Sequence, residues 1–333
     1  DCAVQAWVHM GAGYPLESIS LAHINNQFVY EGNGNYAGLF AEHDLTGRVM
    51  DLQPAVPIWV EQAKDAVSGA MPEVPVGQHC NQPYECPFID FCWPNDTRYP
   101  IAGLGGSKKK LGVWVMDGYC DICDVPSWEI TAENQLRVHR VTLSGEPELL
   151  PDARKFTESL AYPRFYLDFE TAGPAIPVWP GTRPYQVLPF QWSCHIERAP
   201  GVMEHAEFLD LSGKPPMRPL AEQLITDLEA EGPVLMYTSY ERGVIEGLVT
   251  MFPDLALALL GIVDRLVDLY PVTKASYYHP DMLGSWSIKA VLPTIAPDMD
   301  YAELEGIQEG NAASSAYLEA IDPQTTPERQ EQI

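Results

Sequence analysis

Tyr166-Leu167-Asp168-Phe169-Glu170 is the stretch on which the reading of this chain turns, because it sets two carboxylates two residues apart in an apolar run. Side chains alternate along a β-strand, so Asp168 and Glu170 project from one face. Two acids held together in an apolar setting repel each other and lose hydration, a cost that a divalent cation beside them offsets. Acid-x-acid triplets are also common on solvated strand edges. Here Phe165, Tyr166, Leu167 and Phe169 surround the pair and predict a central strand, which turns the pair into a metal-site candidate.

Outward from this strand the pattern alternates. Strands are expected at Phe165–Glu170, Phe190–Ile196 and Glu204–Leu209, then a helix over Pro219–Glu231, a strand at Val234–Tyr237 and a helix from Glu241 to Met251. A short helix at Leu255–Leu260 leads into a strand-like Val263–Leu269. Three successive strands followed by helix, strand and helix suit a mixed α/β fold: a mixed sheet flanked by helices, as in the ribonuclease H-like fold. Nearer the start, strand-like runs fall at Leu21–Ile24, Phe28–Tyr30 and Gly47–Asp51, with an amphipathic helix near Pro57–Val67. A Pro- and Cys-rich stretch over Met71–Pro100 leads to the Gly-rich Ala102–Ser107, and helical patterns follow, including Thr131–His139.

The chain has 333 residues, 46% of them hydrophobic, which describes a globular protein with room for more than one core. The formal net charge of -26 opposes a broad electrostatic grip on polyanions. It does not exclude a nuclease, because metal-binding carboxylates add to that count. The run Lys108-Lys109-Lys110 reads either as a phosphate contact or as a solvated loop. Seven cysteines without a secreted-domain framework favour a reducing, cytoplasmic setting. No apolar run approaches the ~20 residues of a membrane span. The sequence opens in mid-pattern at Asp1-Cys2-Ala3-Val4-Gln5 with neither initiator Met nor signal segment, as expected of a fragment or processed chain.

Two further acids join the first pair. Glu241 falls where the strand ending at Tyr237 turns into a helix, and Asp268 ends the next strand; ligands gather at such carboxyl ends in open α/β sheets. Each also reads as an ordinary acid in the first turn of a helix, favoured by the macrodipole. Asp264 and Asp281 are minor candidates.

These residues as a set resemble the bacterial domain of unknown function 2779: Phe165–Thr171, Pro174–Pro177, Gly181-x-Arg183-Pro184-Tyr185-Gln186, Pro189-Phe190-Gln191, His195, Tyr240-Glu241-Arg242, Asp268-Leu269, Tyr278-His279-Pro280 and Gly284-Ser285-x-Ser287-Ile288-Lys289. That family is similar to DnaQ-like exonucleases, whose fold holds two Mg²⁺ or Mn²⁺ on four acids. The resemblance implies Asp168, Glu170 and Glu241 as metal-binding and catalytic residues, Asp268 as a further catalytic acid, and a two-metal phosphodiester hydrolysis of DNA or RNA. It adds Arg183, Tyr185, Gln191, His195 and Lys289 on the substrate side. Arg183 could hold a phosphate bidentately or tether its loop. His195 reads also as a structural histidine. The family's last motif, expected as Tyr-Cys-x-x-Asp-Thr, is not found before Ile333, so one catalytic acid is expected to be missing.

Cys80, Cys86 and Cys92 form a C-x5-C-x5-C run. Thiolates suit iron–sulfur clusters or zinc, although structural zinc usually takes a tighter pair, and three cysteines leave a site one ligand short. The wording Cys86-Pro-Phe…Cys92-Trp resembles the staple of RecB-like nucleases that carry a [4Fe–4S] cluster, whose fourth ligand lies far upstream and is expected to be absent here. Gln5-Ala6-Trp7 and Leu21–Asn25 likewise resemble the distal part of a RecB-like core. Free buried thiols are the plain alternative. Cys120-x-x-Cys123 has no second pair and falls in what resembles a helix-hairpin-helix linker.

The expected organisation is therefore a partial RecB-like segment over 1–95, a helical linker over 96–160 and a DnaQ-like domain over 161–333. Two other functions remain open: a catalytically silent nucleic-acid-binding or scaffold module, and a phosphoesterase acting on small molecules.

Overall fold

A computed structural model describes residues 1–298 and 310–333. By internal contacts the chain divides into two compact units, Asp1–Val74 with Gly173–Gln186, and Pro75–Ala172 with Val187–Ile333. Among the described residues no helix is long and apolar enough to cross a membrane.

The first unit contains α1 (Cys2–Gly11), the antiparallel pair β1 (Ser20–Ile24) and β2 (Phe40–Asp44), α2 (Thr46–Leu52) and α3 (Val56–Ser68). Its small core is built from Ala3 and Ala6 of α1 with Val49 and Val56. Two sequence expectations fail here. Gly47–Asp51 is helical within α2, because Val49 turns its side chain onto α1 while its neighbours stay in solvent. Phe28–Tyr30 is not a strand. Tyr30 is buried, stacks on Tyr36 at 4.8 Å and exchanges backbone hydrogen bonds with the Gly173–Gln186 segment, at Gly181 and Thr182.

The second unit begins with a helical region: α4 (Ile89–Cys92), α5 (Lys108–Met116), α6 (Glu133–Ser144), the short strand β3 (Glu148–Leu149) and α7 (Pro151–Ser159). Lys108-Lys109-Lys110 is thus the first turn of α5 rather than a loop. Then follow β4 (Arg164–Ala172), β5 (Leu188–Ala199), β6 (Val202–Leu209), α8 (Met217–Asp227), β7 (Val234–Met236), α9 (Tyr240–Met251), α10 (Ala256–Val263) and β8 (Leu266–Asp268). The chain closes with α11 (Leu269–Ser276), β9 (Tyr277–Tyr278), α12 (Ile288–Ile295), α13 (Gly310–Ala320) and α14 (Pro327–Gln330).

Five strands form one sheet in the order β6-β5-β4-β7-β8. β6, β5 and β4 are antiparallel, whereas β4, β7 and β8 run parallel. This is the helix-flanked mixed sheet expected from the strand pattern. β4 is its middle strand, and its alternation is physical: Phe165, Leu167 and Phe169 are buried, while Tyr166 and Asp168 reach solvent on the other face. Burying each of those three apolar side chains stabilises the sheet by about 2 kcal/mol. β7, covered on both sides, reads Val234-Leu235-Met236 and is buried throughout. The expected strand over Val263–Leu269 is shorter, because α10 runs on to Val263 before β8 begins.

A second core joins the helical region to the segment after β8, with Trp93, Ile101, Leu111, Trp114 and Ile122 packed with Tyr278, Met282 and Trp286. The two halves meet backbone to backbone at Gly103 and Gly284. Gly284 has φ +78°, and a Cβ there would lie 1.6 Å from the Gly103 carbonyl oxygen. Gly284→Ala is expected to lower unfolding stability by at least about 2 kcal/mol, since strain and overlap act together. A urea denaturation midpoint equal to that of the parent would disprove this close approach.

Candidate active site

β4 presents Asp168 and Glu170 on one face, as the alternation requires. Their register partners are Ser193 and Gln191 of β5, which places Gln191 beside Glu170, and His195 pairs with Tyr166 one step further along. A register shift after Glu170, where Thr171 pairs with Pro189, bends this end of the strand. Beyond it, the Thr171 hydroxyl meets the Tyr240 hydroxyl at 2.6 Å and ties β4 to the start of α9.

Glu241 is the second residue of α9 and is 6% exposed. The reason lies in spacing: Glu241, Val244, Ile245 and Leu248 form the i, i+3, i+4, i+7 stripe that the helix buries. A carboxylate thus occupies a position that packing alone would make apolar. Its Oε2 is buried and has no hydrogen-bond partner. Burial, with smaller contributions from the negative charges of Asp168 and Asp268, raises its pKa to about 7.

The other acids feel the same field. Asp168 keeps some contact with solvent, but the surrounding protein strips enough water to raise its pKa, against one hydrogen bond from the Phe169 amide at 3.0 Å. Glu170 is raised by burial and then by the charge of Asp168. Asp268 is different, since its Oδ1 accepts the amides of Thr238 and Tyr270, both at 2.9 Å, and so caps α11. Thr238 is held there at φ +75°, a backbone conformation costly for a β-branched residue, beside the acids.

The structure therefore gathers Asp168, Glu170, Glu241 and Asp268 into one electrostatic neighbourhood at the carboxyl ends of β7 and β8 and on the middle strand. Among the described residues, no three His, Cys, Asp or Glu side chains are arranged as a ready-made metal site. The donor chemistry nonetheless suits a hard divalent cation: carboxylate oxygens that repel one another, one of them buried without a partner.

The remaining candidates lie on other segments of the chain. Arg183 and Tyr185 lie in Gly173–Gln186 of the first unit, where Tyr185 has φ +60° and donates its amide to the Pro174 carbonyl. Lys289 is exposed in the first turn of α12. His195 is exposed and lies against the His205 ring at 4.6 Å, while His205 Nε2 sits 2.9 Å from the Ser193 hydroxyl. Neither Ser193 nor His205 carried any sequence signal; only the β4–β5–β6 register puts them on the face of Asp168.

The three cysteines of the C-x5-C-x5-C run differ in exposure, and the Cys86 amide bonds the Cys80 carbonyl at 2.8 Å. Cys80 is buried in the helical core, with Sγ accepting the Gly77 amide at 3.4 Å, Cys86 is half-buried, and Cys92 is exposed. Among the described residues these thiols form no group of three metal-ligating side chains. Cys123 is a protonated thiol, pushed up to about 11 by burial and by Asp121.

A mixed five-stranded sheet with acids on its middle strand and at neighbouring strand ends defines the second unit. Residues 165–287 match the family model described as Domain of unknown function (DUF2779), which runs from β4 to the residue before α12. No curated protein and no solved structure matches the chain.

Proposed function

We propose that the second unit is a divalent-metal-dependent nuclease that hydrolyses phosphodiester bonds in DNA or RNA. The observation that carries this reading is Glu241: a buried carboxylate with an unpartnered oxygen, facing the charges of Asp168 and Asp268. Such a cluster is costly unless a cation compensates it. Asp168, Glu170 and Glu241 would hold Mg²⁺ or Mn²⁺, which supplies water activation and stabilises the leaving oxygen. Without the cation Glu241 titrates near neutrality, and a bound cation would favour its charged form and so offset the cost of burying it. Asp268 acts as a positioning residue, because its Oδ1 fixes the Thr238 turn next to the acids.

A second reading is a nucleic-acid-binding module without catalysis, which an acid-free cleft lined by Lys110 and Lys274 would suit. The deciding experiment incubates the protein with end-labelled single-stranded DNA and RNA in Mn²⁺ and in chelator. Metal-dependent shortening of the label supports the nuclease. Intact label under both conditions, with the strand retained by the protein, moves the assignment to the binding module.

A further inference from the structure

The helical region and the segment after β8 enclose a cleft of about 820 Å³ within the second unit. Its walls bring together Gly105, Gly106 and Ser107 at the start of α5, Lys110, Lys274 of α11, and Ser285. It reaches Thr238, whose amide binds Asp268.

The charge of this cleft runs against the chain. The protein carries 46 acidic and 20 basic residues, yet none of the described residues lining the cleft is Asp or Glu. Lys110 donates to the Glu129 carbonyl at 2.9 Å and lies over Trp114, and Lys274 lies near the Tyr270 and Trp286 rings. Among the described residues neither ammonium has a carboxylate partner. An adjoining cavity of about 1390 Å³ shares Asn134, Tyr270 and Lys274 with the cleft. That cavity is not acid-free: Arg137 and Arg140 in its wall are both paired with Glu148, so the uncompensated charge lies in the cleft rather than beside it. Two ammonium groups without carboxylate partners around an acid-free space are the electrostatic complement of phosphate.

We propose that this cleft holds the phosphodiester backbone of a single nucleic-acid strand whose neighbouring linkage lies at the acids, an inference that rests on the nuclease reading. The glycines permit the close approach: Gly105 and Gly106 have φ +70° and +88°, and a Cβ on Gly106 would sit 2.6 Å from the Gln135 amide nitrogen. Half-buried Tyr270 provides a ring for a base, which is how sequence-tolerant single-strand sites combine charge with stacking. Lys110 and Lys274 are separated by 164 positions in the chain but face one space.

The test measures fluorescence anisotropy of labelled single strands of about twelve nucleotides, in chelator so that no cleavage occurs. Lys110→Gln with Lys274→Gln is expected to weaken binding at least about tenfold and to flatten the slope of log affinity against log salt by about 1.4, for two lost phosphate contacts. Ser285→Glu, at an exposed position that leaves the core untouched, is expected to weaken binding comparably without shifting the melting midpoint. Wild-type affinity and salt slope in both variants would overturn the proposal, as would failure of the parent to bind any strand. Displacement of the strand by millimolar inorganic phosphate alone would assign the cleft to a free anion and overturn the strand reading. Strand binding without cleavage would leave the cleft and remove the nuclease; cleavage indifferent to these variants would do the reverse.

Discussion

Asp168→Asn is expected to cut metal-dependent strand degradation by at least about a hundredfold while leaving the fold intact. Disturbing an outer partner of a metal ligand costs about 10–100-fold, and loss of a ligand itself costs no less. The amide keeps the size of the carboxylate, and its Oδ1 can still accept the Phe169 amide that Asp168 now accepts at 3.0 Å. It removes a charge that Glu170 and Glu241 both feel. In chelator, therefore, the variant should melt at the same temperature as the parent or slightly higher, which separates loss of chemistry from loss of structure. Degradation by the two proteins at equal rates would remove Asp168 from the reaction.

Glu241→Gln is expected to stabilise the metal-free protein at pH 8 and to flatten its stability profile between about pH 4.5 and 7. In the folded chain the carboxyl is raised from 4.5 to about 7, with burial as the main cause. Between those values the folded protein keeps a proton that the unfolded chain has released, so stability falls as pH rises through the window. Below it the stabilising contribution of the protonated carboxyl is fully present, and above it that contribution has been lost. A shift of this size corresponds to about 3 kcal/mol, of which glutamine, neutral throughout, loses nothing. Urea midpoints from pH 4 to 8 in chelator, compared between parent and variant, measure the difference. Parallel profiles would show that Glu241 is not the group that titrates. Mn²⁺ at pH 8 should raise the parent's melting midpoint more than the variant's, because a ligand that binds only the folded state stabilises it by mass action.

Much of the central sheet was legible because its signals are local. The alternation of Phe165, Leu167 and Phe169 with Asp168 marks β4, and the apolar run Val234–Met236 marks the buried strand β7. The burial of Glu241 was readable too, since Val244, Ile245 and Leu248 place it on their own stripe. Gly47–Asp51 misled because so short a run has no clear period, and packing of Val49 against α1 settled it as helix. Phe28–Tyr30 misled because the backbone partners of Tyr30, at Gly181 and Thr182, lie about 150 positions away.

The sequence by itself determined the acids on β4, their shared face and the mixed sheet that carries them, because strand periodicity and apolar burial act over a few residues. Only the tertiary structure decided that Asp268 spends one oxygen capping α11, that Cys80 is buried while Cys92 is exposed, and that Lys110, Lys274 and Ser285 share an acid-free cleft. Those outcomes depend on long-range packing between the helical region and the segment after β8, and such contacts leave no pattern in neighbouring residues.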